Sequence, residues 1–338
     1  MLSPLPVINR LTLVHQDAAG VPKTVDPVYR RAVEFRMSAE DNSLKKKYGW
    51  LLSRILGCHP EDLPTLPTTA MELMEMTNQS DASAEDLVKI IRQDPSLAAR
   101  LMRLANSPAF ATGVEVTDLT RAVVVLGFSE IARLAMALTI LTAAGGDRPL
   151  RRRMQRAKLW WHSQVVGIIC DALARDVLDW GGGYYVFGLI HDIGKVALDS
   201  HRPEKFTEVL NTIERESVGW VEAENKVLMV DHAFVGLSLL AYWELPQQMV
   251  QAVGHHHDPW EAEEHQDIAG MLFLADHLAK TLGYFSFDAE KKIDLAAILD
   301  ERTSEFLKSR GWALEALRSP EVRDNIEQRI AQVSEEGF

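Results

Sequence analysis

Cysteine is nearly absent from this 338-residue chain: Cys58 and Cys170 are the only two, and neither lies in a Cys-x-x-Cys spacing. That excludes a disulfide framework and predicts reduced thiols in a cytoplasmic protein. Positive charge is also scarce. Lys and Arg number 36 against 48 Asp and Glu, leaving a formal charge of -12 and a pI near 5.4. No basic footprint exists for broad nucleic-acid binding. Long apolar runs are missing too. The most apolar segment, Leu134 to Ala144, falls well short of the roughly 20 residues that span a bilayer. Met1 to Arg10 has no basic region followed by an apolar stretch, so no signal peptide is expected. Alternating strand patterns, internal repeats and low-complexity tracts are not found.

What is present is helix. Hydrophobic residues make up 47% of the chain and charged residues 25%, ample for a sizeable core. Prolines and a glycine leave the first 27 residues irregular. Val28 to Leu56 then reads as a helix ending at Gly57. From Pro64 the helices are short and capped. Ser83 precedes an acidic first turn. Asp94-Pro95 pairs an N-cap with proline at the first helical position. Asp118 caps Leu119 to Leu126 ahead of Gly127, and Ser129 caps Glu130 to Ala144. Later helices are expected from Pro203, from His232 after Asp231, after Pro246, and from about Glu263 to Leu282. We therefore expect an all-α fold. Residues 1–60 form an N-terminal extension, 61–150 a helical lobe, 151–285 a second lobe carrying the chemistry, and 286–338 a helical tail broken at Gly311.

The chemistry centres on Tyr184-Tyr185-Val186-Phe187-Gly188-Leu189-Ile190-His191-Asp192-Ile193-Gly194-Lys195. An imidazole and a carboxylate on adjacent residues can bind one divalent ion or two neighbouring ones. The apolar run before them predicts presentation from a buried helix. Lys195 follows one turn later and could meet a phosphate as a point charge. Further candidates appear in chain order: His162, His232, His256-His257 and Asp276. Five of the 11 histidines fall in this set. Imidazole with carboxylate suits Fe, Mn, Zn or Ni. Seven ligands are too many for one ion and about right for two, with a carboxylate as bridge. The run Arg151 to Lys158 is most simply a solvated helix face. Arg151 and Lys158 nevertheless share the face of His162 and could present positive charge to an anion.

The order His, His-Asp, Asp resembles the HD superfamily of metal-dependent phosphohydrolases. His232 and His256-His257 resemble additions found in its HD-GYP phosphodiesterase branch. The resemblance implies that His162, His191, Asp192 and Asp276 hold one metal. It implies that His232, His256 and His257 hold a second with Asp192 between them, and that Lys195 faces a substrate phosphate. The Gly-Tyr-Pro segment is missing, since Asp258-Pro259-Trp260-Glu261 follows the double histidine. Lys158 stands where some members carry a glutamate ligand, which argues against a third metal. Leu63-Pro64-Thr65-Leu66-Pro67, Ile91-Arg92-Gln93-Asp94-Pro95, Leu104-Ala105-Asn106-Ser107-Pro108 and Ala122-Val123-Val124-Val125-Leu126-Gly127 resemble the HDOD family. So do His232-Ala233-Phe234-Val235-Gly236, Trp243-Glu244-Leu245-Pro246 and His256-His257-Asp258-Pro259. HDOD domains are helical modules of bacterial signalling proteins, many of which act by binding partners. The resemblance implies a regulatory protein with two divalent ions and a signalling protein or small phosphorylated ligand as partner. The alternative is a metal-dependent phosphohydrolase acting through Asp192 and Lys195 on a nucleotide or other phosphoester.

Overall fold

The computed structural model describes residues 44–77, 82–107, 110, 116–145, 153–287, 298–312 and 319–335. Among them secondary structure is helical throughout. α1 (Leu44–Leu56) lies in the N-terminal extension, and the first lobe comprises α2 (Thr68–Thr77), α3 (Ala84–Arg92), α4 (Pro95–Ala105), α5 (Leu119–Leu126) and α6 (Phe128–Gly145). Its helix starts follow cap chemistry. Ser83 Oγ accepts from the Asp86 amide, Asp94 from the Ser96 and Leu97 amides, and Asp118 from the Arg121 amide. Each cap satisfies N–H groups that the helix leaves unpaired. One start differs from the sequence reading. α6 begins at Phe128, because the Gly127 carbonyl already accepts from the Ile131 amide. Gly127, at φ 92°, both ends α5 and opens α6, so the two helices meet at a 120° bend. That pair passes a membrane-span test by length and composition only, and no single described helix is long and apolar enough to cross a bilayer. Residues 28–43 of the expected first helix lie outside the described residues.

The second lobe comprises α7 (Arg153–Ala172), α8 (Tyr185–Ile190), α9 (Ile193–His201), α10 (Pro203–Glu216), α11 (Trp220–Leu228), α12 (His232–Tyr242), α13 (Gln247–Gly254) and α14 (Gln266–Thr281). The tail contributes α15 (Glu301–Ser309) and α16 (Pro320–Glu335), with Gly311 at φ 75° between them. The apolar α6 carries buried Ile131, Leu134, Ala135 and Leu138. It packs against α2 and α4 on one side and α8 and α9 on the other, which ties the lobes together.

Two glycine contacts place the central histidine and aspartate. A Cβ on Gly188 would overlap the backbone of Gly167 in α7, and a Cβ on Gly194 would overlap the carbonyl of His232 in α12. α8 therefore lies directly on α7, and α9 directly on α12. Between these two contacts the chain breaks at His191-Asp192, with Asp192 at φ -94°, ψ 18°. The pair is buried as expected, but it sits at a helix–helix break and not within a helix. Gly194→Ala is expected to cost ~1–3 kcal/mol by overpacking. Thermal unfolding should show a melting point lower by about 2–4 °C per kcal/mol lost.

Candidate metal centre

Every described candidate ligand reaches one buried cluster. His162 comes from the middle of α7, and His191 and Asp192 from the α8–α9 break. His232 opens α12, where Asp231 accepts from the Phe234 amide. His256 and His257 follow α13, and Asp276 lies in α14. Ligand atoms of His162, His191 and Asp276 lie within 4.8 Å of one another, and so do those of His232, His256 and His257. The set His191, Asp192 and His256 meets the same distance and joins the two groups.

Asp192 faces both groups with different oxygens. Its Oδ2 lies 3.4 Å from His191 Nε2 and 3.9 Å from His162 Nε2. Its Oδ1 lies 3.1 Å from His232 Nε2 and 4.0 Å from His256 Nε2. Apart from the half-buried His257, the candidate ligands are between 0 and 2% exposed.

Backbone carbonyls settle the tautomers. Nδ1 of His162 pairs with the Tyr284 carbonyl at 2.9 Å, Nδ1 of His191 with Gly188 at 2.7 Å, and Nδ1 of His256 with Val253 at 2.7 Å. A carbonyl only accepts, so each Nδ1 carries a proton, and a ring that yields its second proton to a cation turns an Nε2 lone pair inward. Those three Nε2 atoms, with Asp192 Oδ1 and Asp276 Oδ1, are buried without a hydrogen-bond partner. His162 Nε2 and Asp276 Oδ1 stand only 3.1 Å apart, aimed at one point. Buried polar atoms rarely go unpaired, since desolvation without compensation is costly. Their hard and borderline donors fit a divalent cation.

The charge states suit the same purpose. Burial alone would raise Asp192, but the His191 ring and Lys195 ammonium outweigh it and hold the carboxyl well below the usual range. Burial likewise opposes ionisation of Asp276, and Lys280 and His162 overcome it. Burial pushes His256 well down, helped by His191 and His232. It does the same to His257, helped by His256 and His232. His232 behaves differently. Burial lowers it, yet Glu224 and Asp192 together outweigh that and raise it to about 9. A cation binding there displaces that proton.

Lys195 is placed otherwise than as an exposed phosphate contact. It is 1% exposed, with Nζ 2.8 Å from Asp192 Oδ2 and 3.2 Å from Ser286 Oγ, over the Trp220 ring at 4.7 Å. Lys158 lies half-buried one turn before His162, and Arg151 lies outside the described residues. His255, which precedes the double histidine, belongs to neither ligand group. Two residues missed from sequence matter here. Lys280 donates to Asp276 Oδ2 at 2.7 Å, and Glu224 contacts His232 Nδ1 at 2.6 Å. The Asp276…Lys280 spacing resembles Asp192…Lys195 and could have pointed to Lys280. Glu224 falls in the apolar stripe of α11 with Trp220 and Ala223, a charge on the wrong face once the helix register is known.

Comparison with known proteins agrees with this architecture. The family model described as HDOD domain matches residues 63–259, more than half of the chain. The chain belongs to the HDOD family. Among solved structures, an HDOD domain protein of unknown function from Geobacter sulfurreducens is similar at 25% identity and a TM-score of 0.70. The match covers 86% of this chain and 98% of that one. A protein from Shewanella amazonensis, provisionally named a metal-dependent phosphohydrolase, shares the fold at 19% identity and a TM-score of 0.55. Coverage there is 86% of this chain and 100% of that one. An uncharacterized protein of Treponema pallidum (strain Nichols) is 26% identical over 220 residues, or 64% of this HDOD chain. The chain spans 42% of that relative's length.

Proposed function

We propose that this HDOD protein is a signalling or regulatory module whose HD-type centre holds two divalent ions. His162, His191 and Asp276 would hold one, His232, His256 and His257 the other, and Asp192 both. The observation that carries the reading is the set of buried, unpartnered donor atoms converging from separate helices. Fe, Mn, Zn and Ni suit such a donor set. The enclosure of the centre favours regulation over turnover, because structural metal sites are closed and catalytic ones keep an open position. The partner would be a signalling protein or a small phosphorylated ligand, approached from the His257 side where burial is least complete. Lys158 and Arg151 are the cations proposed to meet it.

A second reading has its own support. Asp192 turns one oxygen to each ligand group, the arrangement that suits a phosphohydrolase acting on a nucleotide or other phosphoester. Bound ions would supply Lewis-acid stabilisation of a phosphoryl oxygen. In this reading Asp192 sets the spacing of the two groups and Lys195 balances its charge, while the surrounding apolar helices exclude water.

Metal content of protein purified without chelator, measured by mass spectrometry, tests both. About two ions per chain are expected. Two ions with no hydrolysis of p-nitrophenyl phosphate or bis(p-nitrophenyl) phosphate support the regulatory reading. Hydrolysis abolished by chelator and restored by metal establishes the second. No metal, even after anaerobic reconstitution with Fe or Mn, overturns both.

A further inference from the structure

The two ligand groups are not equivalent. The first contains a carboxylate of its own, Asp276, while the second consists of three imidazoles. A compensating charge stands behind the second group. Glu224 on α11 is fully buried. Its Oε2 accepts from His232 Nδ1 at 2.6 Å and from the His232 backbone amide at 3.0 Å. His162, His191 and His256 direct Nδ1 to neutral carbonyls instead. Burying a carboxylate is costly unless something specific needs it. Its neighbours on α11, Glu222 and Lys226, pair with each other at the surface, so the helix places one acid inward while solvating the rest.

We infer that Glu224 is the positioning residue of the second metal position, holding the His232 ring in place and strengthening it as a donor where no private carboxylate exists. The double contact through the ring and backbone amide of one residue fixes both the start of α12 and the direction of Nε2. A carboxylate on the distal nitrogen also raises the basicity of the ligating nitrogen. The inference rests on the reading that the centre holds two ions.

The test is titration of metal-free protein with Co(II), followed by visible absorption and calorimetry, on wild type, Glu224→Gln and Glu224→Asp. Glu224→Gln keeps the shape and loses the charge; Glu224→Asp keeps the charge and withdraws it from the ring. His162→Ala, which removes a ligand of the first position, identifies the step belonging to the second. Wild type should show two binding steps. Both Glu224 variants should weaken the second-position step by about 10- to 100-fold and leave the other unchanged. Unchanged affinity for both ions in either folded variant overturns the inference, as does equal weakening of both steps. A lower melting temperature with intact Co(II) binding would make Glu224 merely structural and also overturns it. Fewer than two steps in wild type refutes the two-ion reading itself, and the inference falls with it.

Discussion

Asp192→Ala is expected to lose both ions together, whereas His162→Ala should lose only the first. The expectation follows from the position of one carboxylate. Asp192 Oδ1 lies 3.1 Å from His232 Nε2, and Oδ2 lies 3.4 Å from His191 Nε2. Of the two candidate carboxylates, Asp192 alone turns a separate oxygen to each group. Outer partners of metal ligands typically contribute 10- to 100-fold in affinity, and a direct ligand shared by two ions should exceed that at both positions. The loss is also electrostatic, since among the described residues Asp192 supplies the one carboxylate that faces the Nε2 side of the second group. Metal analysis of the folded variant, with circular dichroism as the control, measures the effect. Retention of two ions per chain by Asp192→Ala would remove the bridging role.

Lys195→Met should destabilise the metal-free protein by ~3–5 kcal/mol, the usual cost of leaving a buried charge without its partner. The ammonium is closed in by Asp192 Oδ2, Ser286 Oγ and the Trp220 ring, so neither water nor a surface ion can replace it. The side chain is nearly isosteric, which confines the change to charge and hydrogen bonding. Metal should shrink the loss, because cations on Asp192 would take over the balancing of its charge. Denaturant unfolding of wild type and variant, each with chelator and with metal, gives the four numbers needed. An equal loss in both conditions would show that Lys195 and the metal do not share Asp192.

The helix starts between residues 83 and 119 were legible because they are chemical. Ser83, Asp94 and Asp118 each cap the helix that follows them, and cap signals need only three or four neighbouring residues. The ligand set could be collected from sequence for a related reason. Histidine and aspartate in apolar surroundings stand out locally, wherever the chain later carries them. The break at His191-Asp192 was not legible. It lies between the contacts of Gly188 with Gly167 and of Gly194 with His232, which join residues about 20 and 40 positions apart. The surroundings of Lys195 were not legible for the same reason. Its spacing places it one turn from Asp192, but only the packing of Trp220 and Ser286 shows that it points inward.

Sequence alone therefore determined that this protein is helical, where most helices start, and which side chains can ligate, because caps, periodicity and donor chemistry are local properties. Tertiary structure alone decided which oxygen of Asp192 faces which group and that Glu224 stands behind His232. It also decided that Lys195 balances a buried carboxylate. Those relations depend on the angles at which helices cross, set by close glycine contacts and core packing summed over the whole fold, and no window of neighbouring residues contains them.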